Sequence, residues 1–246
     1  MIRSCNVLAV LLVLGVLGTA PSAMSATESQ ATIPMNEWTF FDAADDLDAA
    51  WVRGNENREG LFIIDSAESI GGMSAPDGHY RLYGEAGRDF VMVNAFFSVK
   101  PGDWTLEFRA KMASLGTFLP NTDIDGGNLT AYRGFTIGVR FDGTRTFVIG
   151  FNNGILGVLG SAERYRRLDA SILGGNDEDF HVWRIEYTHA DAGVTIFKDG
   201  EEVARFSRVE GAPSGAQGGL RMFSAPINVY GTIDVLIDYV AFRSEG

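Results

Sequence analysis

The chain has 246 residues, 46% of them hydrophobic, with 30 glycines, one cysteine and a formal net charge of −12. Such length and apolar content suit one large core and exclude general disorder. The acidic balance argues against nucleic acid and anionic membrane as partners, because the field of the whole molecule repels both.

The chain opens on a targeting pattern. Arg3 precedes an unbroken apolar run over 7–17, too short to span a bilayer, and Pro21-Ser-Ala-Met-Ser-Ala26 offers small residues for cleavage. Residues 1–26 therefore read as a secretory signal peptide, with an uncleaved anchor as the other reading. The protein is expected to be secreted or periplasmic, with no membrane span once the signal is removed. Cys5 lies before the apolar run, so the mature chain has no cysteine, and hence no disulfide, thiolate metal site or cysteine nucleophile. Its formal charge is −13, from 19 basic against 32 acidic residues, yet sixteen of the basic residues are arginines. Arginine forks hold carboxylate or sulfate through paired hydrogen bonds, which keeps an acidic sugar polymer open as a ligand. A compositional bias without ligand meaning is the other reading.

Residues 27–36 form a polar, flexible lead-in, and 37–246 read as one domain. Strands are expected at 37–41, 61–64, 79–83, 90–93, 95–99 and 105–112, with an acidic loop over 42–50 and a Lys100-Pro-Gly-Asp103 turn. Further strands are expected at 134–141, 146–151, 218–224 and 232–242. The clearest period lies in 180–206. There Trp183, Ile185 and Tyr187 alternate with Val182, Arg184, Glu186 and Thr188, a β-rich run follows over 194–198, and Lys198-Asp-Gly-Glu201 is a tight turn in which Gly200 takes positive φ. No segment carries a sustained helical period. The pattern predicts an all-β, two-sheet antiparallel sandwich. The last strand is apolar on both faces and is expected to lie centrally, covered on both sides.

Three stretches carry a family resemblance: His181, Trp183, Arg184 and Ile185 with Lys198-Asp-Gly200; Trp104-Thr-Leu-Glu-Phe-Arg-Ala-Lys-Met112; and Ile233-Asp-Val-Leu-Ile-Asp-Tyr-Val-Ala-Phe242. Together they resemble the concanavalin A-like lectin/glucanase superfamily, including laminin-G-like and pentraxin-like domains. The resemblance implies a jelly-roll fold whose concave outer face holds sugars, and it speaks to fold better than to activity.

Alternation places Glu107, Arg109 and Lys111 opposite the apolar Trp104, Leu106, Phe108 and Ala110, and Thr136, Gly138 and Arg140 opposite Phe135, Ile137 and Val139. The expectation is a concave face bearing Glu107, Arg109 and Arg140, with the loops of Tyr132 and Tyr165 at its rim. Glu107-x-Arg109-x-Lys111 resembles the strand before the catalytic strand of retaining β-glucanases. The following strands, however, lack the carboxylates that such a mechanism needs about 5–5.5 Å apart. A lyase of the same jelly-roll type would want an Arg, a Gln or Asn, a His and a Tyr converging on a uronate, for which Arg109, Arg140, His181 and Tyr165 are the candidates. His181 also reads as a structural turn residue, and His189 as a solvated hairpin residue.

Asn121-Thr-Asp123-Ile-Asp125-Gly-Gly-Asn128 places oxygen ligands at alternate positions before glycine, as a Ca²⁺ loop would, with Asn121, Asp123, Asp125 and Asn128 as ligands. An Asx-rich turn explains the same residues, and position twelve of such a loop, Tyr132, lacks the usual carboxylate. A long loop over 160–179 holds Glu163-Arg-Tyr-Arg-Arg167. There Tyr165 is suited to stacking on a pyranose, unless the segment is a solvated loop with ion pairs to Glu163 and Asp169. The sequence thus points to an exported protein that binds a polysaccharide or glycan. A glycoside hydrolase or polysaccharide lyase with an unfamiliar catalytic set and a cell-envelope protein-interaction module are the alternatives. No organic cofactor is expected.

Overall fold

Alternating apolar residues, interrupted every few positions by Gly, Asn or Asp, fold this chain into strands and little else. The computed structural model describes residues 37–43, 52–53, 69–70, 73–74, 79–85, 91–99, 102–118, 134–140, 145–161, 163, 165–209, 212–213, 218–225 and 229–245. All of them belong to one unit, Ala31–Gly246. The signal peptide, the lead-in and the strand expected at 61–64 lie outside the described residues.

In chain order the strands are β1 (Phe40–Asp42), β2 (Val52–Arg53), β3 (Ser69–Ile70), β4 (Met73–Ser74), β5 (Tyr80–Glu85), β6 (Val91–Phe96), β7 (Asp103–Phe118), β8 (Gly134–Arg140), β9 (Arg145–Asn152), β10 (Ile155–Val158) and β11 (Tyr165–Arg167). They continue with β12 (His181–Thr188), β13 (Gly193–Lys198), β14 (Glu201–Phe206), β15 (Ala212–Pro213), β16 (Gly219–Ala225) and β17 (Val229–Glu245); one short helix, α1 (Ala170–Leu173), precedes β12. Among the described residues they form two sheets. The first runs β14-β13-β12-β7-β17-β5-β4-β3 with β1 also on β17, and the second runs β11-β10-β9-β8-β16-β6-β2 with β15 also on β9. Every pairing among the described residues is antiparallel.

The core between the sheets is set by the expected alternation. Trp104, Leu106, Phe108 and Ala110 of β7, Trp183 and Ile185 of β12, and Phe135, Ile137 and Val139 of β8 are all buried in one cluster. Phe108 meets Phe135 and Phe151 edge-on at 5.9 and 5.7 Å, and Phe151 meets Trp183 at 5.1 Å, so the two sheets interlock through aromatic rings. The expected turn after β13 forms with positive φ at both central residues, Asp199 (51°) and Gly200 (86°), as a two-residue type I′ hairpin requires. The runs expected at 90–93 and 95–99 are one strand over most of their length, β6.

β17 takes the central place expected of it, between β7 and β5, with Ile233, Val235 and Ile237 in the core. A register shift between Ile237 and Tyr239 then turns Tyr239 and Ala241 to the outer face, where Trp38 and Phe41 cover them. The segment expected as a long loop over 160–179 instead contains β11 and α1 and joins the sheets at one end. Leu173 is buried in the core; Gly154 of the β9–β10 turn donates its N–H to the Leu173 carbonyl and accepts from Leu168 N–H; Asp177 N–H bonds the Met112 carbonyl of β7. The Lys198 side chain is only 10% exposed; its Nζ donates to the Ile172 carbonyl at 2.8 Å and lies 3.7 Å from Asp177.

Candidate functional site

Two outer faces could carry a ligand, one per sheet. The face of the first sheet bears Glu107 and Arg109. Neighbouring strands β17 and β5 supply Asp234, Asp238 and Arg81 there, with His79 just before β5, and their charges neutralise one another. Arg81 grips Asp234 through two hydrogen bonds of 2.9 and 2.7 Å, which raises the guanidinium's proton affinity above its ordinary value. Arg109 Nη1 bonds Asp238 Oδ2 at 2.5 Å, with its guanidinium 4.9 Å from the centroid of Phe180; His79 Nδ1 lies 3.3 Å from the other Asp238 oxygen. Arg184 pairs with Glu186, and Arg243 with Glu37 and Glu245.

Glu107 departs from its expected exposure. Its side chain is fully buried, and its carboxylate accepts a 2.9 Å hydrogen bond from the hydroxyl of Tyr239, itself 4% exposed. The cause is long-range: β1 lies on β17, and its neighbours Trp38 and Phe41 roof this part of the sheet. A glycan cannot reach Glu107 in this arrangement. Burial, reinforced by the Glu107 charge, pushes the Tyr239 hydroxyl well above its ordinary value.

The expected single face of Glu107, Arg109 and Arg140 is also not formed. Glu107 and Arg109 lie on β7 in the first sheet, whereas Arg140 ends β8 in the second. The lyase candidates divide in the same way. Arg140 and Tyr165 belong to strands of the second sheet, but His181 opens β12 in the first, where its Nδ1 lies 2.6 Å from Asp199 Oδ2. Asp199 also accepts from Val182 N–H at 2.9 Å, so this histidine clasps the β13–β14 turn. His189 is exposed at the β12–β13 connection, as expected. Tyr132 and the four candidate calcium ligands, Asn121, Asp123, Asp125 and Asn128, lie outside the described residues. Among the described residues no group of three His, Cys, Asp or Glu side chains could hold a metal.

The outer face of the second sheet is built differently. Core alternation on β8, β9 and β10 (Ile137, Ile149, Leu156) leaves Thr136 and Gly138, Gly150 and Asn152, and Gly157 on the opposite side. Register aligns them: Tyr165 of β11 opposes Gly157, Gly157 opposes Gly150, Gly150 opposes Thr136, and Thr136 opposes Phe223. A floor of small residues thus crosses the sheet, with strands about 4.8 Å apart. Thr136 and Asn152 are buried although they point away from the core, so the centre of this face is enclosed. Its rim is more open. Arg167 is exposed, and Tyr165 and Arg221 are half-buried; Arg166, opposite core Leu156, turns to the other side, where Glu163 holds it at 3.2 and 2.6 Å with its guanidinium near Phe206. The Glu163 ion pair expected of a solvated segment is therefore present. Asp169 instead caps α1, accepting from the Ser171 N–H and hydroxyl, which hold its carboxyl below the ordinary range. Arg221 and the aligned pair Gly150 and Gly157 escaped the sequence reading. Alternation of Leu220 and Met222 could have singled out Arg221, but only register sets Gly150 of β9 beside Gly157 of β10 and Thr136 of β8.

No family model and no curated protein matches the sequence. Solved structures do match. A β-glucanase from Bacillus licheniformis aligns at 10% identity and a TM-score of 0.53, covering 84% of this chain and 98% of that one. An endo-1,3-β-glucanase from Streptomyces sioyaensis aligns at 14% identity and 0.51, covering 88% and 100%. The Crh5 transglycosylase, solved in complex with NAG, aligns at 14% identity and 0.51, covering 84% of each chain. At such identities the likeness is one of fold, and this chain has the concanavalin A-like jelly-roll sandwich expected of it.

Proposed function

We propose that the protein is an exported polysaccharide-binding protein whose ligand lies on the outer face of the second sheet. The observation that carries this reading is the extent of the fold match: two β-glucanases align over 98% and 100% of their own lengths, so the similarity spans whole glucan-acting domains. Choice of face follows from charge and shape. On the first sheet Arg81 and Arg109 are committed to Asp234 and Asp238 and Glu107 is roofed over, whereas the second carries the exposed Arg167 and the half-buried Tyr165 at the open edge of its enclosed small-residue floor. Binding without cleavage is favoured because the described strands β8 and β9 contain no Asp or Glu to serve as an acid and nucleophile pair. Hydrolysis or transglycosylation is the second reading, supported by the activities named for the matched structures.

The test is a panel of polysaccharides offered to the protein with calcium and then with EDTA, reading binding and product release together. Binding without new reducing ends or unsaturated uronate absorbance is expected. Failure to bind any glycan, with a stable protein partner recovered instead, would replace this reading with that of an envelope interaction module. Released products would replace it with an enzyme. Loss of binding in EDTA alone would assign a role to Asp123 and Asp125.

A further inference from the structure

Arginine and lysine side chains on the strands of the first sheet are paired with acids, with one exception. Among the described residues Arg81, Arg109, Arg184, Lys198, Arg205 and Arg243 each pair with an Asp or Glu. Lys111 of β7 has neither an ion pair nor a hydrogen bond among them, although it is half-buried and the chain carries 32 acidic residues. A half-buried ammonium gives up part of its hydration, a loss that a carboxylate offsets. Its surroundings follow from register. Lys111 opposes Leu236 of β17, and Leu236 opposes Arg81 of β5. Their strand neighbours Ala110, Met112, Val235, Ile237, Tyr80 and Leu82 point into the core, so Lys111, Leu236 and Arg81 share the outer side, the two cations' strands roughly 10 Å apart across the leucine. On one side of this rung lies the Arg109–Asp238 pair, beside which the rings of Phe180 and His79 meet at 4.7 Å. On the other side Asp234, held by Arg81, opposes Tyr83, and the Arg81 guanidinium carbon lies 5.0 Å from the Tyr83 ring centroid.

From this arrangement we infer a second binding site, on the outer face of the first sheet, for a small ligand that carries one carboxylate and an apolar side. The inference is independent of the glycan reading, whose face belongs to the other sheet. The carboxylate pairs with Lys111 Nζ, and the apolar side lies on Leu236. Asp234 and Asp238 do not repel such a ligand, since Arg81 and Arg109 take up their charges. One uncommitted cation matches one negative charge. A second charge on the ligand finds no partner on this rung and meets the field of a chain whose net charge is −12. The apolar side follows from Leu236, which is half-buried at the centre of the rung and has no side-chain hydrogen bond to offer, with the rings of Tyr83 and Phe180 on either side of it. A uronic acid, with a carboxylate and one C–H ring face, has this chemistry, and so does a hydrocarbon acid.

The experiment titrates isotope-labelled protein, expressed from the full chain, with galacturonate, with cyclohexanecarboxylate and with their uncharged counterparts galactose and cyclohexylmethanol, reading backbone amide shifts. An acid is expected to bind at millimolar concentration with shifts centred on 109–113 and 234–238, and its uncharged counterpart at least about tenfold more weakly. The tighter of the two acids tells whether the ligand is an acidic sugar or a hydrocarbon acid. Lys111→Gln is expected to lose about tenfold or more, while Lys111→Arg, which keeps the charge, retains most of the affinity. Arg205→Gln on β14 serves as control and leaves binding unchanged. Leu236→Glu sets a carboxylate between the two cations and is expected to abolish binding while the melting temperature holds or rises, which keeps the test open if Lys111→Gln does not fold. No shift with either acid, equal binding of the uncharged counterparts, or affinity retained in Lys111→Gln or Leu236→Glu would overturn the inference. Shifts centred on 165–167 would overturn it too, by moving the acid to the other sheet. Each of these results leaves polysaccharide binding intact, because that reading is tested with polymers on the second sheet.

Discussion

Replacing Tyr239 by Phe isolates one interaction in the covered part of the first sheet. The ring is retained, and with it the stacking on Phe41 at a centroid distance of 5.9 Å, so only the hydroxyl is lost. That hydroxyl donates at 2.9 Å to a carboxylate with no solvent exposure, and water cannot replace it without opening the roof formed by Trp38 and Phe41. A hydrogen bond to a charged group contributes about 1.5–3 kcal/mol, so a loss of about 2 kcal/mol is expected. In a chain of this size that lowers Tm by about 4–8 °C. The assay is thermal and urea unfolding at pH 7 for Tyr239→Phe, Glu107→Gln and the double variant, from which the coupling follows. Glycan affinity below the transition should stay at the wild-type level in both single variants, because Glu107 is not a surface group. A coupling under about 0.5 kcal/mol would refute the claim that the hydroxyl sustains the buried carboxylate, and a selective loss of affinity would refute its exclusion from the ligand face.

The same pair sets an alkaline limit. Since the folded state holds the Tyr239 proton above the ordinary value of about 10 and the unfolded chain does not, stability is whole below pH 10 and falls by about 1.4 kcal/mol per pH unit above it; urea midpoints between pH 9 and 11.5 should show a shallower fall in Tyr239→Phe. Two glycines with similar φ should separate sharply on substitution by Ala. Gly200 (φ 86°) has nothing within 4 Å of an added Cβ and should lose only about 1–2 kcal/mol. At Gly134 (φ 81°) the added atom would sit 2.3 Å from the Phe151 carbonyl oxygen, so the variant should unfold far earlier or fail to fold. Lys198→Met removes the anchor on the Ile172 carbonyl and on Asp177; amide exchange should accelerate across 170–177 while β12 and β13 keep their protection.

What could be read from the sequence was what depends on near neighbours. The alternation in β7, β8 and β12 is local, and so is the Asp199-Gly200 turn, so their strands, inner faces and backbone sign were all legible. Sheet membership is not local. Arg109 and Arg140 look alike in their own strands, but β7 pairs with β12 and β17 while β8 pairs with β9 and β16, which sends the two arginines to different sheets. Glu107 shows the limit most plainly, because its burial is decided by Tyr239, 132 residues further along, and by Trp38 from the far end of the domain. The segment 160–179 read as a loop because β11 has three residues and α1 four, too short to show a period.

The position of β17 bears on how the molecule is made. It is the strand on which β7, β5 and β1 all hydrogen-bond, yet it comes after every one of them in the chain, and its contacts reach back far: Arg109 waits for Asp238 across 129 residues and Arg81 for Asp234 across 153. Until β17 arrives, β7 and β5 present unpaired backbone edges to one another, and the first sheet cannot nucleate vectorially as the chain emerges. The hairpins β12–β13–β14 and β8–β9–β10 can form early, but the join between the halves of the first sheet is a late event. Truncation within 229–245 should therefore abolish folding altogether, where loss of an edge strand such as β14 would only fray the sandwich.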